Sequence, residues 1–166
     1  MQCVTRKAQS SKSFGMKKCV MLVVGVLFAT GSFAQGEKNP VSWSFWKKKM
    51  DATTYEIHLT AAIGDGWHTY SQTTPGGGPV PTAIEFIKNP LLILQGEAKE
   101  NGKLEKHFEP LFNVEVRQFS DKVDFVQIVK VKGRIKANLA GTIRYMTCND
   151  QQCLPPTEQK FSVTLD

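Results

Sequence analysis

Cysteine, histidine and long apolar runs are all scarce in this sequence of 166 residues. It has four cysteines and three histidines, and His58, His68 and His107 stand far apart. Scattered residues of this kind lack the paired spacing of zinc ligands, so we expect no metal site. The glycines at 76–78 are not followed by Lys-Ser or Lys-Thr, which excludes a phosphate-binding loop. No segment resembles the nucleophile elbow of a hydrolase, and hydrolase activity is not indicated.

The first 34 residues contain no acidic side chain. An apolar run from Cys19 to Ala29 is followed by Ser32-Phe33-Ala34 and preceded by five basic residues, Arg6, Lys7, Lys12, Lys17 and Lys18. A basic region, an apolar region and small residues at a cleavage position are typical of a secretory signal peptide. Because the apolar run is shorter than the roughly 20 residues that cross a membrane, we predict a cleaved signal over residues 1–34 and no permanent membrane span. Met16 is an alternative start.

Removal of the predicted signal cancels the basic character of the chain. The 21 basic residues, which give a formal net charge of +6, include the five of the signal, so 16 remain beside 15 acidic ones. This surplus is too small for the phosphate neutralisation that nucleic-acid binding requires, and we expect no nucleic-acid partner. Lys47-Lys48-Lys49 is interpreted as a solvated strand end.

The mature sequence shows the period of two that is typical of β-strands and no convincing helical period. Residues 53–63 alternate apolar and polar side chains, whereas residues 123–131 are partly apolar on both faces, as in a central strand. Turn signals, among them Asn101-Gly102 and Ser120-Asp121, separate further candidate strands. These cover residues 41–46, 67–70, 82–87, 114–119, 135–140, 142–147 and 160–165. Seven to nine short strands in about 130 residues predict an all-β fold, an antiparallel β-sandwich of the immunoglobulin-like type.

The predicted domain comprises residues 35–166, and we expect it to stand alone because the chain ends directly after its last strand. It keeps only two cysteines, Cys148 and Cys153, which in an exported domain form a candidate disulfide. Five extended residues span about 16 Å, far more than the roughly 4.4–6.8 Å between the Cα atoms of a disulfide, so the chain must turn between them. So short a loop restrains the unfolded chain weakly. It suits a bond that is made and broken, although a static structural disulfide fits the same spacing.

Two segments carry a resemblance to a known family. Gly141-Thr142-Ile143-Arg144-Tyr145-Met146-Thr147-Cys148 through Cys153-Leu154-Pro155-Pro156, together with Gly66-Trp67-His68-Thr69-Tyr70, resembles the N-terminal domain of the thiol:disulfide interchange protein DsbD. The resemblance implies an immunoglobulin-like periplasmic domain. Such a domain takes electrons from a membrane-embedded thiol reductase and passes them to thioredoxin-fold acceptors, including disulfide isomerases and cytochrome c maturation proteins. It is a carrier of the thiol-disulfide oxidoreductase type and needs no bound cofactor.

The same resemblance assigns roles to individual residues. Cys148 and Cys153 match the redox pair of the family, in which Cys153 would enter the mixed disulfide with a partner and Cys148 would resolve it. Tyr70 matches one of two tyrosines beside the cysteines. His68 stands where the other would be expected.

Phe112 matches the aromatic side chain of a loop that caps the disulfide in the family. The family has acidic residues immediately before this aromatic, whereas this chain has Pro110-Leu111 there and only Glu109 nearby. An ordinary core position for Phe112 remains open. The alternative to a redox carrier is a non-catalytic envelope β-sandwich that binds a protein or a glycan and is pinned by a structural disulfide.

Overall fold

A computed structural model describes residues 39–166, and these residues contain nine β-strands and no helix. The strands are β1 (Val41–Lys49), β2 (Thr54–Ile63), β3 (His68–Tyr70), β4 (Ala83–Phe86), β5 (Leu92–Glu109), β6 (Val114–Val131), β7 (Ala137–Tyr145), β8 (Thr147–Cys148) and β9 (Thr157–Leu165). The predicted signal, residues 1–34, and the alternative start at Met16 lie outside the described residues. Between residues 39 and 166 there is no helix that could span a membrane.

The strands form two antiparallel sheets. The larger sheet has the order β1-β2-β6-β3-β8, with β5 paired along β6, and the smaller sheet has the order β4-β7-β9. The predicted all-β, immunoglobulin-like sandwich is therefore confirmed. As the two-sided apolar pattern of residues 123–131 predicts, β6 is central, because it pairs with β2, β3 and β5.

The core lies between the two sheets. Ile57 and Leu59 of β2, Phe125 of β6 and Ile143 of β7 are all fully buried, and each such side chain contributes about 1.5–3 kcal/mol of hydrophobic stabilisation. A glycine lets the smaller sheet close tightly. A Cβ atom at Gly141 would lie 2.3 Å from the backbone oxygen of Glu85 and 2.5 Å from the Phe161 ring.

Two predicted turns are wrong, because the chain continues as a strand through both. The predicted strands 114–119 and 123–131 form one strand of 18 residues, β6, and Ser120-Asp121 is an irregularity within it at which Asp121 has a φ of 62°. Asn101-Gly102 likewise lies inside β5, where the pairing register with β6 shifts just after Gly102. Irregularities of this kind bend a strand without ending it.

β5 is missing from the sequence prediction altogether. It has 18 residues and lies outside β6 in the larger sheet. Most of its side chains are exposed and many are charged, which is a common protection of sheet edges and hides the apolar alternation. The other predicted strands are confirmed with shifted ends, and the predicted break between residues 140 and 142 falls instead after Tyr145.

A candidate redox site around Cys148 and Cys153

The two cysteines face each other across a tight hairpin and form the predicted disulfide, with Cα atoms 4.0 Å apart. Asn149 explains why the chain turns here. Its side-chain Oδ1 accepts hydrogen bonds from the backbone N–H groups of Gln151 (2.9 Å) and Gln152 (2.8 Å), an arrangement in which an asparagine side chain replaces part of a turn. The hairpin closes with a bond from the N–H of Leu154 to the oxygen of Thr147 at 2.9 Å.

The two sulfurs differ in their access to solvent. Cys148 is fully buried and belongs to a small apolar cluster with Tyr70 and Val116, against which Met146 and Cys153 pack. Cys153 is only partly buried. Of the two cysteines, only Cys153 therefore has surface that an incoming thiolate could approach.

His68 lies directly opposite Cys148 in the pairing of β3 with β8. Residues directly opposite in an antiparallel pair project from the same face of the sheet, with Cβ atoms about 4.5–5.5 Å apart. Tyr70, two residues further along β3, projects from that face as well. The hydroxyl of Thr69 donates to the oxygen of Met146 at 3.0 Å and fastens β3 to the segment that leads into the disulfide.

A buried hydrogen-bonded group of three polar side chains adjoins the disulfide. The Tyr70 hydroxyl donates to Oε2 of Glu109 at 3.2 Å, and Nε2 of His68 lies 3.1 Å from the Tyr70 oxygen and 3.5 Å from Glu109 Oε2. From this network we assign the proton of a neutral His68 to Nε2, which donates to Tyr70 and leaves the lone pair on Nδ1. His68, Tyr70 and Glu109 are 7%, 0% and 4% exposed, so their mutual bonds replace those that water would make.

Burial also sets the protonation of this group. It lowers the pKa of His68 below the usual value, and the nearby Glu109 carboxylate opposes this shift only in part. Burial and the same carboxylate raise the pKa of Tyr70 far above its usual range. At neutral pH the site therefore holds a neutral imidazole and a protonated phenol.

The loop between β5 and β6 stands beside the cysteine hairpin. A cavity of about 210 Å³ separates them and is lined by His68, His107, Glu109, Pro110, Leu111, Asn149 and Asp150. Phe112 is half-buried, its N–H donates to the oxygen of Glu109 at 3.2 Å, and its Cβ lies 3.7 Å from the point where a side chain at Gly78 would begin. The role of Phe112 as a cap of the disulfide stays a prediction.

The sequence model of the family described as "Thiol:disulfide interchange protein DsbD, N-terminal" matches residues 39–165. The chain belongs to this family. The cysteine hairpin therefore lies within a DsbD N-terminal domain. No curated protein matches the sequence at a significant level.

Several solved structures are distantly similar to this DsbD N-terminal domain. The DsbD N-terminal domain of Neisseria meningitidis in the reduced form has 16% sequence identity and a TM-score of 0.49, over 69% of this chain and 86% of that one. The N-terminal periplasmic domain of ScsB from Proteus mirabilis has 18% identity and a TM-score of 0.48, over 78% and 52% of the two chains. The complex between the DsbD and PilB N-terminal domains of Neisseria meningitidis gives 12% identity and a TM-score of 0.46, over 74% and 80%.

The structure brings together Cys148, Cys153, His68, Tyr70 and Glu109, five of the six residues singled out in the sequence. Asn149, a residue type that favours turns, makes the expected turn between the cysteines through its side-chain acceptor. Sequence reasoning missed one other residue that shapes the DsbD-type site. Met146 packs against the disulfide, and its sulfur accepts the N–H of Val80 at 3.3 Å, a contact between distant segments that no local pattern reveals.

Proposed function

We propose that this DsbD N-terminal domain is a periplasmic thiol-disulfide carrier, exported by the signal over residues 1–34. It would pass reducing equivalents from a membrane-embedded thiol reductase to thioredoxin-fold acceptors, those of cytochrome c maturation among them. The observation that carries the proposal is a disulfide between one buried and one partly exposed cysteine, in a family of thiol:disulfide interchange proteins.

In the first half-reaction the domain is reduced. A thiolate of the donor attacks Sγ of Cys153, the Cys148–Cys153 bond breaks, and Cys148 leaves as a thiolate that takes up a proton. The second thiolate of the donor then attacks the first donor sulfur, which is bonded to Cys153 in the mixed disulfide, and releases Cys153. The donor dithiol becomes a disulfide, and the domain gains two electrons and two protons.

In the second half-reaction the domain reduces an acceptor. The Cys153 thiolate attacks the acceptor disulfide, and one acceptor thiolate leaves with a proton. Cys148 loses its proton and attacks Sγ of Cys153, which releases the second acceptor thiol and restores the disulfide. Because only a thiolate attacks, the fate of the Cys148 proton matters in both directions.

We propose that His68 takes up and returns the proton of Cys148. Its side chain projects from the same sheet face as Cys148, its Nδ1 carries the lone pair, and the Glu109 carboxylate would stabilise the imidazolium formed when the proton arrives. Tyr70 is a positioning residue, because its hydroxyl bridges the imidazole and the carboxylate.

Trapping of the mixed disulfide tests the two cysteine roles. The reduced Cys148→Ser variant should accumulate a covalent complex with an oxidised thioredoxin-fold protein, because the resolving thiol is missing, whereas Cys153→Ser should form at least about tenfold less. Non-reducing electrophoresis and intact mass spectrometry measure the complex. Equal trapping by both variants would show that the assignment of roles is wrong.

The reduction potential separates the carrier from a sandwich with a structural disulfide. Structural disulfides of secreted proteins have potentials below about −300 mV, and exchange-active ones lie higher. We expect a value above this limit when the domain is equilibrated with defined ratios of reduced and oxidised dithiothreitol. A lower value would favour the non-catalytic binding module.

A further inference from the structure

The end of the sandwich opposite the disulfide is formed by three loops, which connect β1 with β2, β4 with β5 and β6 with β7: residues 50–53, 87–91 and 132–136. Backbone hydrogen bonds show that they lie together. The N–H of Val131 donates to the oxygen of Thr53 at 2.8 Å, and the N–H of Lys132 donates to that of Leu91 at 2.8 Å. The antiparallel order of the strands places the cysteine hairpin and the β5–β6 loop at the other end.

Basic side chains are concentrated at this three-loop end. Seven exposed ones stand in the loops or at the strand ends beside them: Lys48, Lys49, Lys88, Lys130, Lys132, Arg134 and Lys136. The loops contain a single acid, Asp51, whose carboxylate accepts the N–H groups of Thr53 and Thr54 at 2.8 Å. Asp166, which follows β9 at the same end, binds Lys47 and Lys49. Among the described residues, Lys132 and Arg134 have no carboxylate within 4.0 Å.

The disulfide end has the opposite character. Its loops, residues 64–67, 110–113 and 149–156, contain Asp65 and Asp150 and no basic residue. A chain whose mature composition is almost neutral is therefore polarised along its strands. The interpretation of Lys47-Lys48-Lys49 as a merely solvated strand end overlooks this arrangement.

Each of the three loops also exposes a large apolar side chain. Met50 is 51% exposed, Leu91 is 38% exposed and Ile135 is 48% exposed. Met50 follows Lys49, and Ile135 stands between Arg134 and Lys136. Apolar side chains among basic ones on one surface are the pattern of proteins that bind at the boundary between lipid headgroups and acyl chains.

We propose that the three-loop end binds the surface of a bilayer that contains anionic phospholipid. The basic side chains would meet the lipid phosphates, and Met50, Leu91 and Ile135 would enter the interfacial layer. An acidic soluble protein would satisfy the charges, but its charged surface would leave the three apolar side chains without a matching environment. Bound in this way, the domain would hold the disulfide away from the membrane, towards soluble acceptors, and its reduction by the membrane-embedded donor would require release from the lipid.

Vesicle binding tests the charge requirement. The protein is purified after export, its N-terminus is read by mass spectrometry, and it is sedimented with vesicles of phosphatidylcholine alone or with about one third phosphatidylglycerol. We expect binding to the anionic vesicles only, and its loss in high salt. The double variant Lys132→Glu/Arg134→Glu should bind about tenfold more weakly. The control Lys99→Glu/Lys160→Glu reverses the same number of charges within strands β5 and β9 and should bind like the parent.

A second pair of variants tests the apolar contribution. Ile135→Ser should weaken binding to anionic vesicles about fivefold, because it removes an inserted side chain, whereas Leu104→Ser, which alters an equally exposed leucine on β5, should have no effect. Comparable binding to neutral vesicles, or equal losses in both charge-reversal variants, would overturn the proposal. So would tight binding to soluble polyglutamate that Ile135→Ser leaves unchanged, since this would assign the surface to an acidic protein. No cysteine is altered, so failure here is independent of the exchange reaction.

Discussion

At the scale of single residues, the neighbourhood of Cys148 is decided by the register of β3 and β8. The cysteines have no lysine, arginine or histidine beside them in sequence, yet the pairing puts His68 opposite Cys148. Glu109 joins from the end of β5, through the hydroxyl of Tyr70. An imidazole, a carboxylate and a bridging phenol are thus grouped beside Cys148, although the chain carries them on two strands, β3 and β5.

His68 gives the first prediction at this scale, a pH dependence of stability. Its pKa is lowered in the folded state, so below its usual pKa of about 6.5 the unfolded chain binds a proton that the folded site resists. The free energy of unfolding should therefore fall as the pH falls from 7.5 to 5.5. It should fall less in His68→Gln, which cannot titrate. Urea unfolding at both pH values measures this, and His107→Gln, which alters an exposed histidine, is the control. Equal pH dependence in all three proteins would contradict the prediction.

The same substitution gives a kinetic prediction. If His68 accepts the Cys148 proton, His68→Gln should slow resolution of the mixed disulfide by about 10²-fold, within the range of general acid–base catalysis. Attack by Cys153 on the acceptor should change little, and stopped-flow measurements of the two steps separate these effects. A uniform slowing of both steps would indicate a structural role for His68 instead.

The site residues show what the sequence can predict at this scale. The disulfide follows from the spacing of the two cysteines, whereas a redox role for it and the roles of Tyr70 and His68 follow from the family resemblance. The position of His68 opposite Cys148 does not, because a strand register between residues 80 positions apart depends on the packing of the whole sheet.

At the scale of elements, the β5–β6 hairpin governs the surroundings of the disulfide. Two long strands end in the loop that brings Glu109 to the site and carries Phe112. The alternating strands β2 and β9 were predictable from their own residues, because one face is apolar. β5 was not, because its exposed charges obscure the alternation that burial imposes elsewhere.

The loop itself carries the prediction at this scale, that Phe112 shields the disulfide as a movable lid. Phe112→Ala should leave the melting temperature nearly unchanged and make the reduced cysteines react faster with a small alkylating agent. Opening of a loop breaks only local contacts, so we expect that removal of the Phe112 ring leaves the fold unchanged. Leu111→Ala, which alters an exposed neighbour, serves as control. A decrease of about 3–5 kcal/mol in the free energy of unfolding, without a change in thiol reactivity, would instead identify Phe112 as a core residue.

At the scale of the whole molecule, the sandwich depends on close contact within the smaller sheet and between the sheets. Composition and periodicity predict this architecture correctly, because most strands carry one buried apolar face. The sequence does not reveal which glycine is essential for packing. Position 141 requires a glycine because Glu85 and Phe161, on neighbouring strands, occupy the space that a side chain would need.

Gly141 provides the prediction at this scale. Gly141→Ala places a methyl group where β4 and β9 already touch, and should lower the free energy of unfolding by about 1–3 kcal/mol, the usual cost of overpacking. The control Gly76→Ala meets no atom within 4 Å and should be nearly neutral. Urea unfolding compares the two. Equal stability of both variants would show that the strands can move apart at little cost.

The buried apolar residues form two separate clusters, a large one between the sheets and a small one of Tyr70, Val116 and Cys148. β6 contributes to both, with Val116 in the small cluster and Phe119, Val123 and the buried residues that follow in the large one. Substitutions around the disulfide therefore leave the contacts of the large cluster intact, and the histidine at position 68, where the family resemblance expects a tyrosine, is a change of this kind. The side chains that surround the disulfide and those that join the two sheets are thus different residues, so the surroundings of the cysteines can be altered without changing the main core.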